Sequence, residues 1–149
     1  MDYALQSDFL QAMFRMKSML ASELGKDSTC GISMPEFMLM KGIRENAPLA
    51  EIREYLSISK PAVSQMLGNL EKKGYLTREP DKTDRRNLVL ALTPAGQATF
   101  TRKETRLNAH LGKLFGSMQE EDLHQVIRLV TQFEECTSRI RKNRREDTI

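Results

Sequence analysis

Between Gly74 and Thr93 the hydrophobic pattern of this chain changes period, and it changes nowhere else. On either side, apolar residues recur at i, i+3, i+4 and i+7, the spacing of amphipathic helices. Inside, Tyr75-Leu76-Thr77-Arg78 and Leu88-Val89-Leu90-Ala91-Leu92 read as short strands, the leucines of the second alternating and expected inward. Glu79 to Asn87, between them, is polar, charged and too long for a tight hairpin. A chain that is helical except for one ribbon with a charged loop must bury that ribbon's inner face on helices, which leaves few folds open to it.

The helical segments have readable ends. Tyr3 to Leu24 is predicted as the first helix, with Leu5, Phe9, Met13, Met16, Leu20 and Leu24 on one face, and Gly25 to Gly31 as a loop. Ser33-Met34-Pro35-Glu36 is a capping box, serine and glutamate each reaching the other's backbone N–H. It opens a second helix to about Glu45 that is apolar on most sides and therefore expected at the centre. A third runs from about Leu49 to Leu56, with Leu49, Ile52 and Leu56 inward. After the turn Ser57-Ile58-Ser59, Ser59 caps a fourth helix that opens on Lys60-Pro61, reaches about Lys73, and turns Val63, Leu67 and Leu70 inward. Gly74 stands where a left-handed cap is expected. Thr93-Pro94 starts a long helix to about Phe115, with Phe100, Leu107, Leu111 and Leu114 on one face. Ser117 to Glu120 is a second capping box for a last helix with Leu123, Ile127, Val130, Phe133 and Ile140 inward. Arg139 to Ile149 is charged and expected to fray.

The remaining sequence narrows the function by exclusion. The 149 residues, 40% hydrophobic and 29% charged, fit one ordered domain. No apolar run approaches the ~18 residues of a membrane span, and Met1-Asp2-Tyr3 does not begin a secretory signal, so a cytoplasmic setting is expected. Cys30 and Cys136 have neither metal-ligand nor disulfide-framework spacing, and His110 and His124 stand alone. There is no phosphate-binding glycine loop and no nucleophile–base constellation, so neither an enzyme nor a metal or other cofactor is expected.

Two short helices joined by a turn, then a ribbon, form a winged helix-turn-helix, whose second helix is shaped for the DNA major groove. On that helix the face opposite the core carries Lys60, Ser64, Gln65, Gly68, Asn69 and Lys72. Lys60, Ser64 and Gln65, near its start with Ser59 and Pro61, suit base edges; Lys72 suits a phosphate, although a lysine at a helix C-terminus needs no ligand. The loop Asp81-Lys82-Thr83-Asp84-Arg85-Arg86 offers a narrow basic tip of the kind a minor groove accepts. From Lys60 to Arg86 seven basic residues, Arg78 among them, stand against four acidic ones. That excess equals the net +3 of the whole chain, as phosphate binding requires of a DNA-facing module.

Three stretches make the pattern specific. They are Ile58-Ser59-Lys60-Pro61-Ala62-Val63-Ser64-Gln65, Leu70-Glu71-Lys72-Lys73-Gly74-Tyr75-Leu76 with Arg78, and Asp81 to Arg86 followed by Leu92-Thr93-Pro94-Ala95-Gly96. Together they resemble the MarR (multiple antibiotic resistance regulator) family, over nearly the whole helical order. The resemblance implies a mainly α fold with a small β-wing: a DNA-binding lobe over residues 33–93 and dimerisation helices over 1–32 and 94–149. It implies a homodimer on a pseudo-palindromic operator, and often release by a small ligand. Asp84 and Arg86 match the family's paired wing residues; which of Arg85 and Arg86 probes the groove is left open.

Met13, Met16, Met34 and Met38 fall where the family holds its ligand, and methionines repack around varied apolar or aromatic shapes; core filling is their other reading. The expected function is a sequence-specific transcriptional regulator, a repressor released by a small apolar or aromatic effector. Two alternatives stand beside it: a thiol sensor using Cys30, although the family's sensing cysteines usually lie in the first helix, and a winged-helix protein-interaction module.

Overall fold

The computed structural model describes residues 2–25 and 30–146, with the side chains of residues 143–146 outside the description. The predicted loop from Gly25 to Gly31 and the charged C-terminal end lie partly outside those residues. The described elements are α1 (Tyr3–Leu24), α2 (Met34–Arg44), α3 (Leu49–Leu56), α4 (Lys60–Lys72), β1 (Leu76–Pro80), β2 (Leu88–Leu92), α5 (Pro94–Phe115) and α6 (Glu120–Glu146). This is the predicted order, mainly helical with one two-stranded antiparallel sheet. The chain divides into two compact units, residues 1–107 and 108–149.

The core belongs to the first unit. Phe37, Leu39, Met40 and Ile43 of α2 pack with Ile52 of α3, Val63, Leu67 and Leu70 of α4, Leu76 of β1 and Phe100 of α5. Phe37 stacks on Phe100 with ring centroids 4.7 Å apart, and the Arg44 guanidinium lies 4.2 Å from the Phe100 centroid while pairing with Glu104 at 3.3 Å. α2 is the central helix, as its all-round apolar character predicts.

Local chemistry sets the joints. The Ser33–Glu36 capping box forms as predicted. α3 ends on Ser57 in the left-handed region (φ 52), whose N–H donates to the Glu54 carbonyl while that of Ile58 donates to Arg53. Ser59 Oγ then accepts from the N–H of Ala62 and starts α4. α4 ends in a Schellman motif: Gly74 (φ 74) donates to the Glu71 carbonyl and Tyr75 to that of Leu70.

That motif corrects the first strand. The Tyr75 N–H is used by the helix end, so β1 begins at Leu76, and pairing of Leu76 with Leu92 through to Pro80 with Leu88 carries it two residues beyond Arg78. Proline is tolerated at that strand end, where no ladder N–H is needed. Leu88 is exposed, not inward, because the ribbon outruns the core at its loop end; Leu90 and Leu92 are half-buried against it. Leu49, expected inward, is also exposed where it opens α3.

The first and last helices depart furthest from expectation. No residue of α1 is buried; Leu5 and Phe9 are exposed, and Met13, Met16, Leu20 and Leu24 are half-buried. In α6 Leu123 is half-buried, whereas Ile127, Val130, Phe133 and Ile140 face solvent within one chain, and Cys136 is exposed. α6 starts at Glu120, not just after Ser117: the Met118 N–H donates to the Phe115 carbonyl, closing α5, and Leu123 donates to Gln119. Among the described residues no helix is long and apolar enough to cross a membrane, and no cluster of histidine, cysteine or carboxylate side chains could hold a metal ion.

Candidate nucleic-acid interface

Burying Val63, Leu67 and Leu70 fixes the rotation of α4 about its axis. Lys60, Pro61, Ser64, Gln65, Asn69 and Lys72 are then all exposed, so the polar face read from the sequence is the free face of the helix. Ser59 is exposed too, but its hydroxyl is occupied as the N-cap. Pro61 occupies the first turn, where its missing N–H leaves no gap.

The wing is ordered by its own aspartates. Asp81 Oδ1 accepts from the Thr83 N–H at 2.8 Å and from its hydroxyl at 2.6 Å; these two bonds, hydroxyl first, hold the Asp81 carboxyl below the usual aspartate range. Asp84 Oδ1 accepts from both the backbone N–H and Nε of Arg86, at 3.1 and 3.3 Å. Backbone bonds from Asp81 to the Asn87 carbonyl and from Asn87 to that of Asp84 close the loop. The Arg86 side chain is nonetheless 91% exposed, and Lys82 and Arg85 are exposed beside it. Arg78 stands apart from this tip. It lies on β1, and its Nε donates to Glu71 of α4 at 2.5 Å, tying the root of the wing to the helix.

Side chains distant in sequence bond the end of α4 on two sides. Lys73, exposed like Lys72, has partners on another element. Its Nζ donates to Glu36 Oε1 at 2.9 Å and to the Gly31 carbonyl at 3.0 Å. Glu36 is 7% exposed, and its other oxygen accepts from the Ser33 N–H at 2.7 Å. Burial alone would raise the Glu36 carboxyl. The Ser33 backbone bond, then the hydrogen bond and charge of Lys73, outweigh it and hold the group below its ordinary value. On the other side, Thr93 Oγ1 donates to the Gly74 carbonyl at 2.6 Å and accepts from the Gly96 N–H at 3.0 Å. The Thr93 N–H donates to the Tyr75 carbonyl.

The expected ligand residues divide. Met34 lines a pocket of about 410 Å³ with Leu24, Gly31, Glu36, Lys73 and Lys103, and Met38 lines another of about 280 Å³ between α2 and α3. Met13 and Met16 are half-buried on α1. Lys103 is buried on α5, where a lysine carries no pattern signal in the sequence. Cys30 is 3% exposed, with an Arg106 Nη 3.7 Å from its sulfur.

The arrangement matches known proteins at each level of comparison. Residues 38–87 match the model of the MarR family. The chain is 25% identical over 127 residues to the HTH-type transcriptional regulator YdgG of Bacillus subtilis, covering 83% of this chain and 84% of that one. Among solved structures, CouR of Rhodococcus jostii RHA1, bound to p-coumaroyl-CoA, is 18% identical with a TM-score of 0.77, over 89% of this chain and 95% of CouR. A MarR/EmrR family regulator of Acinetobacter sp. ADP1 is 20% identical with a TM-score of 0.74, over 93% and 99%. With an exposed helix face beside a basic wing, the chain is similar to the MarR family of winged helix-turn-helix transcriptional regulators: residues 38–87 carry the family's model, and the fold follows that of solved MarR-family structures over most of the chain.

Proposed function

We propose that this protein is a cytoplasmic homodimeric repressor of a pseudo-palindromic operator, released by a small apolar or aromatic effector. One observation carries the DNA part: the exposed polar face of α4 lies in the same compact unit as a wing whose basic tip is held in shape by Asp81 and Asp84. Ser64 and Gln65 would meet base edges, with Lys60 at the helix start and Asn69 along the same face. Lys72, Lys82 and Arg85 would meet phosphates. Arg86, extended yet oriented by Asp84, is the better minor-groove reader, because an arginine already held loses less freedom on binding. Arg78 would support the wing through Glu71.

Dimerisation is supported by the terminal helices. Tyr3, Leu5, Leu10 and Phe14 of α1, and Ile127, Phe133 and Ile140 of α6, are large apolar side chains exposed within one chain, as residues covered by a second copy would be. In this reading 1–32 and 94–149 form the dimerisation helices and 33–93 the DNA-binding lobe. Two copies related by a two-fold axis would then present their α4 helices to major grooves about 34 Å apart, and a ligand favouring another spacing would release the DNA. Small-molecule control is supported by CouR, whose structure holds p-coumaroyl-CoA, and by the roughly 410 Å³ pocket beside Met34, which lies in the volume range of small-ligand sites.

The test is selection of duplexes from a randomised pool by the purified protein, followed by affinity as a function of salt and by sedimentation. A palindromic motif, a steep salt slope and a dimer are expected. Absence of an enriched motif together with salt-independent binding would leave a protein-interaction module as the better reading.

A further inference from the structure

Lys72 and Lys73 are adjacent, both carry charge, and both end the reading helix, yet they have different surroundings. Lys72 is on the free face. Lys73 is turned to the Glu36 carboxylate and the Gly31 carbonyl, 2.9 and 3.0 Å away. Glu36 is itself fixed, because its second oxygen closes the capping box at the start of α2. Gly31 reaches its position through a left-handed backbone (φ 72). The ammonium thus joins the C-terminal end of α4 to the entry of the central helix, and a hydrogen-bonded ion pair with a mostly buried partner is directional.

We propose that Lys73 is a positioning residue for DNA reading: acting through Glu36 and the Gly31 carbonyl, it sets where the end of α4 lies, and it makes no DNA contact. This rests on the reading of α4 as the helix that enters the major groove. Docking a rigid helix against base edges is sensitive to small displacements, so loosening one end weakens binding at sites the lysine never reaches. The charges make the idea sharp. Removing the negative charge of Glu36 should strengthen DNA binding if only long-range electrostatics mattered. If Glu36 acts by holding Lys73, the same change should weaken it.

The experiment uses the full-length protein and a duplex that the wild type has selected from a randomised pool. Glu36→Gln is chosen because the glutamine oxygen can still accept from the Ser33 N–H, while its amide nitrogen, a donor, replaces the charged acceptor oxygen that faces Lys73. Glu36→Gln and Lys73→Met should each lower affinity on the order of tenfold, and the double variant should lose no more than the worse single, because both break one interaction. The slope of log affinity against log salt should stay at its wild-type value in Lys73→Met, while Lys72→Met lowers it by about one phosphate contact. Lys73→Arg should restore most of the affinity, since its fork can serve both acceptors; a general loss of fold would not be repaired so selectively. Tighter or unchanged binding by Glu36→Gln, or a salt slope lowered by one contact in Lys73→Met, overturns the proposal and makes Lys73 a phosphate contact or a passive surface charge. If the wild type selects no duplex, or Lys72→Met leaves the slope unchanged, the assignment of α4 itself fails, and the positioning role falls with it.

Discussion

Asp84 accepts two hydrogen bonds from one neighbour on a single oxygen: the backbone N–H of Arg86 at 3.1 Å and its Nε at 3.3 Å. The first bond shapes the wing and the second orients a side chain that remains 91% exposed. Because Nε is used, the two terminal nitrogens stay available for DNA.

The wing should therefore respond to substitution in two ways. Arg85→Ala with Arg86→Ala removes two cations, and affinity for every duplex should fall with the salt slope lowered by about two contacts. Asp84→Ala removes a negative charge, which by itself favours DNA, yet it should weaken binding several-fold because Arg86 is no longer held. Gel-shift titrations across a salt series measure both effects. An Asp84→Ala protein that binds more tightly than wild type would show that the pair has no part in presenting Arg86.

Glu36 gives the fold a definable acid sensitivity. Its carboxyl is depressed in the folded protein, so its ionised form adds stability above the ordinary glutamate value. That stability is lost as pH falls through the depressed one. Wild type should exceed Glu36→Gln by about 1–2 kcal/mol near neutral pH, the low end for a charged hydrogen bond because Lys73 is partly exposed. Urea titrations should show the gap closing as pH drops below the ordinary carboxylate range. A gap that persists unchanged under acid would mean that the charge of Glu36 is not what stabilises.

Two glycines should answer the same substitution with opposite signs. A β-carbon on Gly96 would lie 2.1 Å from the Tyr75 carbonyl oxygen and 2.9 Å from its carbon, so α5 can approach the end of α4 only without a side chain there. Gly96→Ala should cost about 3 kcal/mol, at the upper end for overpacking, because both partners are backbone. Gly68, inside α4, has nothing within 4 Å of such a carbon. Gly68→Ala should stabilise by about 0.5–1 kcal/mol through helix propensity alone. Thermal unfolding of the two variants is sufficient; equal effects would contradict the close approach at Gly96.

What the sequence disclosed follows from the range over which each signal acts. Ser33, Ser59, Thr93 and Gly74 bond their own neighbours within a few residues, so the order of helices and the break into a ribbon were legible. The free face of α4 was legible because three buried residues fix its rotation. The Leu5 and Phe9 stripe of α1 and the Ile127–Phe133 stripe of α6 were legible as apolar but not as uncovered within one chain, because periodicity marks a face without saying what lies against it. The second capping box misled because Ser117 follows a helix whose closing turn takes the Met118 N–H. Pairings across long separations, Lys73 with Glu36 or Arg44 with Glu104, leave no periodic trace and required the fold.

The reading face of α4 permits the most discriminating prediction. Ser64 and Gln65 lie one turn beyond Lys60-Pro61, are exposed, and sit opposite Val63, Leu67 and Leu70. Their side chains are short enough for the helix to approach base edges, and a glutamine amide can donate and accept at one base. Gln65→Ala should change the preferred base at one position of each half-site, losing roughly 1–3 kcal/mol of discrimination per bidentate contact. Both half-sites should change together, because a two-fold dimer presents the residue twice. Lys72→Ala should instead weaken binding about equally across sequences, since a phosphate carries no base information. The measurement is a comparison of duplex motifs selected by the two variants and the wild type. If Gln65→Ala returns the wild-type motif with undiminished preference at every position while Lys72→Ala alters it, then the base-reading residues lie toward the other end of the helix, and the polarity proposed for its docking is reversed.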